Sequence, residues 1–155
     1  MEAEESETIL NLRECEAILL GLFKKCCGRL SNTGGDSFLA EFSSAFTAID
    51  CAVDFQGTIM KRNSSPDIKV KLEFRIGINS GDVVNEKDNL LGEGVYIAAR
   101  LAALAQTNGI TVSKVVYDYI KGKTNYEFNN LGVQKLNKTN FMHMILFWNR
   151  AKSVK

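Results

Sequence analysis

Three short segments contain the side chains best suited to chemistry. The first, GDSFLAEF at residues 35–42, is a glycine turn that puts the Asp36 carboxylate at the tip of a strand. The second, FRIGINSGDVV at residues 74–84, is a strand that ends in a tight turn punctuated by glycine. The third, GEGVYIAARL at residues 92–101, carries Arg100 on a small-residue helix. Taken alone, Asp36 can be a plain turn residue and Arg100 an exposed helix arginine.

Other catalytic patterns are excluded by residue type. His143 is the single histidine and lies in an apolar run, which favours a core or strand-edge role over a catalytic one and excludes a Ser-His-Asp triad of the usual kind. The Gly-Glu-Gly sequence at residues 92–94 is too short for a dinucleotide or P-loop fingerprint. The lysines are scattered and not interleaved with aromatic residues, so no nucleic-acid partner is expected.

Two helices and a hairpin are predicted in the first half of the chain. Apolar residues at helical spacing predict a helix over residues 7–27, and Gly28 is placed to end it in a left-handed cap. Residues 29–32 and 38–42 are predicted to pair as a hairpin. Ser43 or Ser44 can cap a second helix that reaches about residue 62. Its predicted buried side consists of Phe46, Ile49, Val53, Ile59 and Met60.

The second half alternates strands and helices. Alternating apolar residues predict a strand over residues 69–79, followed by a short strand at 83–84 and a polar, flexible stretch at 85–94. A small-residue helix over 95–105, whose alanines permit close approach to a neighbour, precedes a strand at 110–112 and a helix from Ser113 to about residue 120. Residues 126–131 and 141–148 are predicted to form a closing antiparallel pair, with the second, apolar on both faces, inside the sheet. The pattern predicts one α/β sandwich domain over residues 1–155.

Composition is that of an ordinary soluble domain. The 155 residues are 45% hydrophobic and 24% charged, and the net charge of +1 indicates no attraction to nucleic acid or an anionic membrane. No apolar run approaches the roughly 20 residues that cross a bilayer, and the acidic start differs from a secretory signal. Cys15 and Cys26 fall on the apolar face of the first helix, which favours buried thiols over a disulfide. Reduced thiols in turn favour a cytoplasmic location.

The three segments, in this order and at these spacings, resemble the core of the class III nucleotide cyclase (adenylate/guanylate cyclase) catalytic domain over about residues 5–148. The resemblance implies a ferredoxin-like βαββαβ fold, an α+β sandwich, with appended strands. Members of the family work as head-to-tail dimers with active sites at the interface. The family's first strand, which carries one of two metal aspartates, precedes the helix that begins here near residue 7. We therefore expect that strand and that aspartate to be missing.

The resemblance assigns roles to individual residues. Asp36 matches the second metal aspartate, a ligand of Mg²⁺ or Mn²⁺, and Arg100 matches the arginine that stabilises the transition state. The family's other positions hold different residues here. Those that read the purine hold Asn32 and Asn89, and the transition-state asparagine is replaced by Tyr96.

The lysine that contacts the triphosphate falls near Asn137, where the neighbouring lysines Lys135 and Lys138 can substitute. With so many positions changed, we expect a catalytically degenerate domain that acts as a dimerising or regulatory module. It would form a homodimer or a heterodimer with another cyclase-type domain and could keep weak contact with a nucleotide. The alternative is a cyclase subunit, converting a nucleoside triphosphate to a cyclic nucleotide and pyrophosphate, that is active only with a complementary chain.

Overall fold

An apolar stripe at helical spacing makes the N-terminal segment of the computed structural model one long helix, α1 (Glu2–Cys26). A second helix, α2 (Ala45–Asn63), begins where the Ser44 hydroxyl accepts a hydrogen bond from the Phe46 N–H at 3.0 Å. Both predicted helices are confirmed, and Ser44 is the residue that caps α2.

The chain divides into two compact units, Met1–Phe74 and Arg75–Lys155. The single-domain assignment over residues 1–155 stays a prediction. The structure describes the backbone of residues 2–31, 37–81, 84–86, 89–123, 126, 129–135 and 141–148, and the side chains of residues 6–31, 37–81, 92–123 and 126.

A short hairpin lies between the two helices of the first unit. Strands β1 (Arg29–Leu30) and β2 (Ala40–Glu41) pair antiparallel, with Arg29 opposite Glu41. The Arg29 Nε donates to a Glu41 carboxylate oxygen at 2.8 Å, which adds an ion pair to the ladder. The predicted hairpin is confirmed at its base, whereas its tip at residues 32–36 lies outside the described residues.

The core of the first unit lies between α1 and α2. Four residues of α1 recur on its buried face at three- or four-residue spacing and meet a buried face of α2. Of the residues predicted to be buried on α2, Ile49 and Ile59 are fully buried, whereas Phe46, Val53 and Met60 are only partly covered. The apolar core of the two helices comprises Cys15, Leu19, Phe23, Cys26, Ile49, Cys51, Ala52, Phe55 and Ile59.

The end of α1 differs from the prediction. Cys27, not Gly28, has the left-handed backbone, with φ of 56°. Gly28 is needed for a different reason, because a Cβ there would lie 2.6 Å from the Phe42 ring and 2.7 Å from the Phe23 ring. These two rings pack edge to face with centroids 5.6 Å apart. Gly28 therefore gives the rings room to meet, and its assignment as the left-handed cap was wrong.

The strand predicted over residues 69–79 is much shorter in the structure. Only β3 (Ile76–Ile78) forms a ladder. Before it, the carbonyl of Leu72 accepts from Asn63 Nδ2 at 2.7 Å and that of Phe74 accepts from Gln56 Nε2 at 3.0 Å. Side chains of α2 thus satisfy carbonyl groups for which the sequence pattern predicted a neighbouring strand.

The second unit is built on a four-stranded sheet, whose order is β3, β6 (Ile110–Ser113), β8 (Phe141–Trp148) and β7 (Asn129–Lys135). Strand β6 (Ile110–Ser113) runs parallel to β3 and antiparallel to β8 (Phe141–Trp148). Strand β7 (Asn129–Lys135) pairs antiparallel with β8 and lies at the edge. The interior position predicted for residues 141–148 is confirmed. The predicted closing pair also forms, although β7 begins at Asn129 and continues to Lys135 instead of covering residues 126–131.

Two helices and a small hairpin complete the second unit. Helix α3 (Glu93–Leu104) packs on β3 and β6, and α4 (Lys114–Ile120) begins at Ser113, whose hydroxyl accepts from the Val116 N–H at 3.5 Å. Strands β4 (Val84–Glu86) and β5 (Asn89–Leu91) pair antiparallel. Residues 89–91 were predicted to be flexible, which was wrong because they find a partner in β4.

Candidate functional site on helix α3

Helix α3 carries two of the residues predicted to do chemistry. It begins after Gly92, whose φ of 123° lies in the region that favours glycine. Tyr96 and Arg100 are four residues apart and therefore lie on the same face of the helix. The structure brings these two predicted site residues together.

Direct contact with β3 fixes the position of α3. A Cβ on Gly77 would lie 2.3 Å from both the Ala98 carbonyl oxygen and the Ala102 nitrogen. Real Cβ atoms do not approach backbone atoms so closely, so the helix can occupy this place only because residue 77 has no side chain. The close approach predicted for the alanines of this helix is confirmed, and its partner is Gly77.

A second contact ties the start of α3 to the chain that follows β3. Asn79 Nδ2 donates to the Gly94 carbonyl at 3.3 Å, and the Cβ position of Gly81 lies 3.8 Å from the Cα of Gly94. Sequence reasoning missed Gly77 and Asn79 as positioning residues. A glycine within a strand is a known sign of close backbone approach and could have identified Gly77.

Arg100 is partly buried, and one of its donors lacks a described partner. Its Nε atom is buried and has no hydrogen-bond partner among the residues that the structure describes. A buried donor without an acceptor costs free energy, and the cost is removed when a ligand supplies the acceptor. The guanidinium has five N–H donors, so it can bind phosphate or carboxylate oxygens in a bidentate manner.

Tyr96 presents a different chemistry from the asparagine that the family resemblance places there. The residue is 43% exposed to solvent, and it lies one helical turn before Arg100. The phenol offers a single O–H that donates or accepts, whereas an asparagine amide offers a separate carbonyl oxygen and two N–H donors. The tyrosine side chain is also much larger than that of asparagine.

The remaining predicted site residues are not brought together in the described structure. Asn32, Asp36, Asn137 and Lys138 lie outside the described residues, and their roles stay predictions. Asn89 lies in β5, opposite Glu86 of β4. Within the parts of the chain whose side chains are described, no group of three or more His, Cys, Asp or Glu residues could hold a metal ion. The metal assignment therefore depends on Asp36.

Comparison with known proteins identifies the family. The model of the adenylate and guanylate cyclase catalytic domain matches residues 12–148. A putative adenylate cyclase 3 from Rhizobium meliloti is 33% identical over 140 residues, which cover 88% of this chain but only 23% of that protein. This protein belongs to the adenylate/guanylate cyclase catalytic domain family.

Solved structures extend this likeness to the fold. The adenylate/guanylate cyclase/hydrolase of Silicibacter pomeroyi is 30% identical with a TM-score of 0.81, and the match covers 96% of this chain and 86% of that one. The dimeric guanylyl cyclase domain of the RhoGC fusion protein from Blastocladiella emersonii is 21% identical with a TM-score of 0.70, covering 92% and 83% of the two chains. The α+β cyclase fold predicted from the sequence is confirmed.

The described helices contain no membrane-spanning candidate. None of them combines the length and the apolar character needed to cross a bilayer.

Proposed function

We propose that this protein is a cyclase-homology domain that has lost most of its catalytic set and acts as a dimerising, regulatory module in cytoplasmic signalling. The observation that supports this most directly lies on α3. There the resemblance places Tyr96 at the family's transition-state asparagine, one turn before Arg100, which matches the family's arginine. The scaffold that holds the site is kept, whereas a residue that performs the chemistry is replaced.

The family's reaction sets the requirement at this position. A ribose 3′ oxygen attacks the α-phosphate of a nucleoside triphosphate, and pyrophosphate leaves. Preorganised donors stabilise the negative charge that develops, and removing one of them lowers the rate by about 10² to 10³. Tyr96 cannot present the paired amide groups of asparagine, so we expect at least this loss from the position alone.

Substitutions at other positions add to the loss. Asn32 and Asn89 stand where the resemblance places the purine-reading pair, and Asn137 stands near the triphosphate lysine. An asparagine can hydrogen-bond a base or a phosphate, but it carries no charge. These residues support weak nucleotide contact more than catalysis.

The family's reaction also requires metal ions. Cyclases of this family use Mg²⁺ or Mn²⁺, which neutralises phosphate charge and assists formation of the nucleophile. In this chain the resemblance assigns a metal-ligand role to Asp36. We therefore expect metal binding by this chain to depend on Asp36.

Dimer formation is part of the proposal. Homologous cyclase domains function as dimers. A homodimer of this chain would carry the same substitutions in both copies, so neither copy could supply what the other lacks. A heterodimer with another cyclase-type domain could supply these residues.

Heterodimer formation leads to the second candidate function, a cyclase subunit that is active only with a complementary chain. It is favoured by Arg100, which is retained and whose buried Nε has no described partner. An acceptor from a nucleotide bound at an interface with another chain would satisfy that donor. The curated relative in Rhizobium meliloti is much longer than the region it shares with this chain, so further domains can accompany this module.

An activity assay tests the leading proposal. Purified protein is incubated with ATP or GTP and Mn²⁺, and cyclic nucleotide is measured by mass spectrometry. We expect no product above the blank, both for the natural chain and for Tyr96→Asn, because one restored donor leaves the other positions changed. An active cyclase added to the same mixture serves as a control for inhibition, and ready product formation by the natural chain alone would contradict the proposal.

Binding measurements separate the two candidates. Calorimetry with ATP, GTP and Mn²⁺ is expected to show weak binding that Asp36→Ala reduces further. Adding a cyclase domain that has both metal aspartates and the lysine then distinguishes the roles. Activity that appears only in the mixture, and is lost with Arg100→Met, supports the subunit; a mixture without activity supports the regulatory module.

A further inference from the structure

Helix α1 carries exposed apolar side chains on the side that turns away from α2. Ile9, Leu10 and Leu20 are 56%, 63% and 44% exposed. Ala17 and Gly21 are exposed as well, and a Cβ added to Gly21 would meet nothing within 4 Å. This side of the helix therefore combines large apolar groups with open space beside small residues.

The exposed residues recur with the spacing of helices that pack side by side. Five of them are separated alternately by three and four positions, which keeps them in one line along the helix. This line, which we call the outer face of α1, consists of Leu10, Arg13, Ala17, Leu20 and Lys24. Ile9 and Gly21 flank it, one on each side. A single exposed leucine is ordinary on a protein surface, but a regular line of this kind is typical of a helix that meets another helix.

We propose that the outer face of α1 binds the outer face of α1 in a second copy of this chain, with the two helices antiparallel. The inference deepens the dimerising role proposed above and rests on it, because it names the surface through which two copies associate. Both copies contribute the same face, as the two-fold symmetry of a homodimer requires.

Charge selects the partner and its orientation. Glu7 and Lys25 are both exposed and lie on the same side of α1, about five turns apart. In an antiparallel pair, Glu7 of each helix lies beside the partner's Lys25, which gives two attractive contacts related by symmetry. In a parallel pair, Glu7 would lie beside the partner's Glu7 and Arg13 beside the partner's Arg13, and these like charges would repel. An acidic start and a basic end also suit the dipole of α1 itself, but the dipole requires no apolar line between them.

The antiparallel arrangement also fills the open space beside Gly21. When the two helices are centred on each other near residue 15, Ile9 and Leu10 of one copy lie at the level of the partner's Leu20 and the partner's Gly21. Large side chains of one helix then enter the space that the glycine of the other leaves.

The length of α1 sets the expected affinity. The helix has 25 residues and is about 37 Å long. One pair of such helices is expected to bury less than the roughly 1,200–2,000 Å² of a standard protein interface. We therefore expect a dimer that dissociates at micromolar concentration.

Sedimentation velocity tests this surface on the 155-residue chain under reducing conditions. From about 5 to 500 µM, the natural chain should pass from monomer to dimer, with a Kd on the order of tens of micromolar. The double variant Leu10→Glu/Leu20→Glu should raise this Kd at least about tenfold, because carboxylates would be buried at the interface without partners. Both leucines are exposed in the single chain, so the melting temperature at low concentration should stay that of the natural protein.

Val115→Glu is the matched control. Val115 is an apolar residue of α4 that is 58% exposed, so the same kind of change outside α1 should leave the Kd unaltered. A natural chain that stays monomeric over the whole range would overturn the proposal. So would a Kd that the double variant leaves unchanged, or one that Val115→Glu raises equally.

Charge reversal tests the orientation. Glu7→Lys and Lys25→Glu should each raise the Kd by about three- to tenfold, because each places like charges beside one another at both symmetric contacts. The double variant Glu7→Lys/Lys25→Glu restores opposite charges and should return the Kd to that of the natural chain. Single variants that leave the Kd unchanged would exclude the antiparallel arrangement.

The outcomes also separate this surface from the proposed function. A dimer that survives Leu10→Glu/Leu20→Glu removes the surface on α1 and leaves the dimerising role intact. Cyclic nucleotide formed by the natural chain alone contradicts the proposed loss of catalysis, whereas the Kd measurements still decide the surface.

Discussion

Helix α3 contacts β3 backbone to backbone, whereas α1 contacts α2 through its side chains. At Gly77 the contact leaves no room for even one methyl group. Between α1 and α2, buried apolar side chains interdigitate, and Arg62 bridges the helices by donating to Asn11 Oδ1 and, at 2.7 Å, to Glu14. Side chains can rotate to absorb a change, but a backbone contact can be relieved only by moving the helix. The two regions should therefore respond very differently to substitution.

The largest effect is expected from Gly77→Ala. Its methyl group would lie 2.3 Å from two backbone atoms of α3, so the helix must shift, and we expect the free energy of unfolding to fall by about 3 kcal/mol. Urea denaturation measures this change. Gly21→Ala is the matched control, because a Cβ there meets nothing within 4 Å and should stabilise α1 by about 0.5–1 kcal/mol. Equal effects of the two substitutions would contradict the contrast between the regions.

Arg62→Ala should have an intermediate effect. The Arg62 side chain is only 11% exposed and makes charge-assisted hydrogen bonds to α1, so we expect a loss of about 2 kcal/mol in the free energy of unfolding. Arg13→Ala removes an exposed pair with Glu16 and should change stability by less than about 0.5 kcal/mol. A loss at Arg62 no larger than that at Arg13 would show that this bridge does not hold the two helices together.

The smallest expected effect depends on pH. The pKa of Cys51 is raised by burial from its ordinary 9.0 to about 12, so the folded state holds this proton more tightly than the unfolded state does. The resulting stabilisation is fully present below about pH 9 and is lost as pH rises toward 12, by about 1 kcal/mol at pH 10. After burial, the neighbouring Cys26 of α1 and Asp54 of α2 contribute to the raised pKa of Cys51.

Chemical denaturation at about pH 8 and pH 10 checks this dependence. Cys51→Ala should lose less stability over that interval than the natural chain under reducing conditions. An identical loss in the two proteins would mean that Cys51 does not titrate as its burial implies.

Local pattern predicted the helices well and the strand partners poorly. The spacing of apolar residues in α1 and the capping serine of α2 depend only on neighbours along the chain, and both were confirmed. The alternation in residues 69–75 was equally clear, yet no ladder forms there, because Asn63 and Gln56 satisfy the carbonyls of Leu72 and Phe74. A strand requires a partner at the right distance, and alternation does not report one.

The candidate site divides in the same way. The spacing of Tyr96 and Arg100 placed both on one helix face, which follows from helical geometry alone. That α3 lies directly on Gly77, and that Arg100 keeps a buried Nε without a described partner, depends on residues distant in sequence. Asp36 and Asn137 lie outside the described residues, so their part in the site stays a prediction.

The sequence by itself determined the family and the two long helices, because motif order and apolar periodicity are properties of residues close together in the chain. Only the tertiary structure decided that Cys27 has the left-handed backbone and that Gly28 makes room for two rings. The physical reason is that close packing is set by which surfaces meet across the fold, and residues at the contact are selected by partners far away in the sequence.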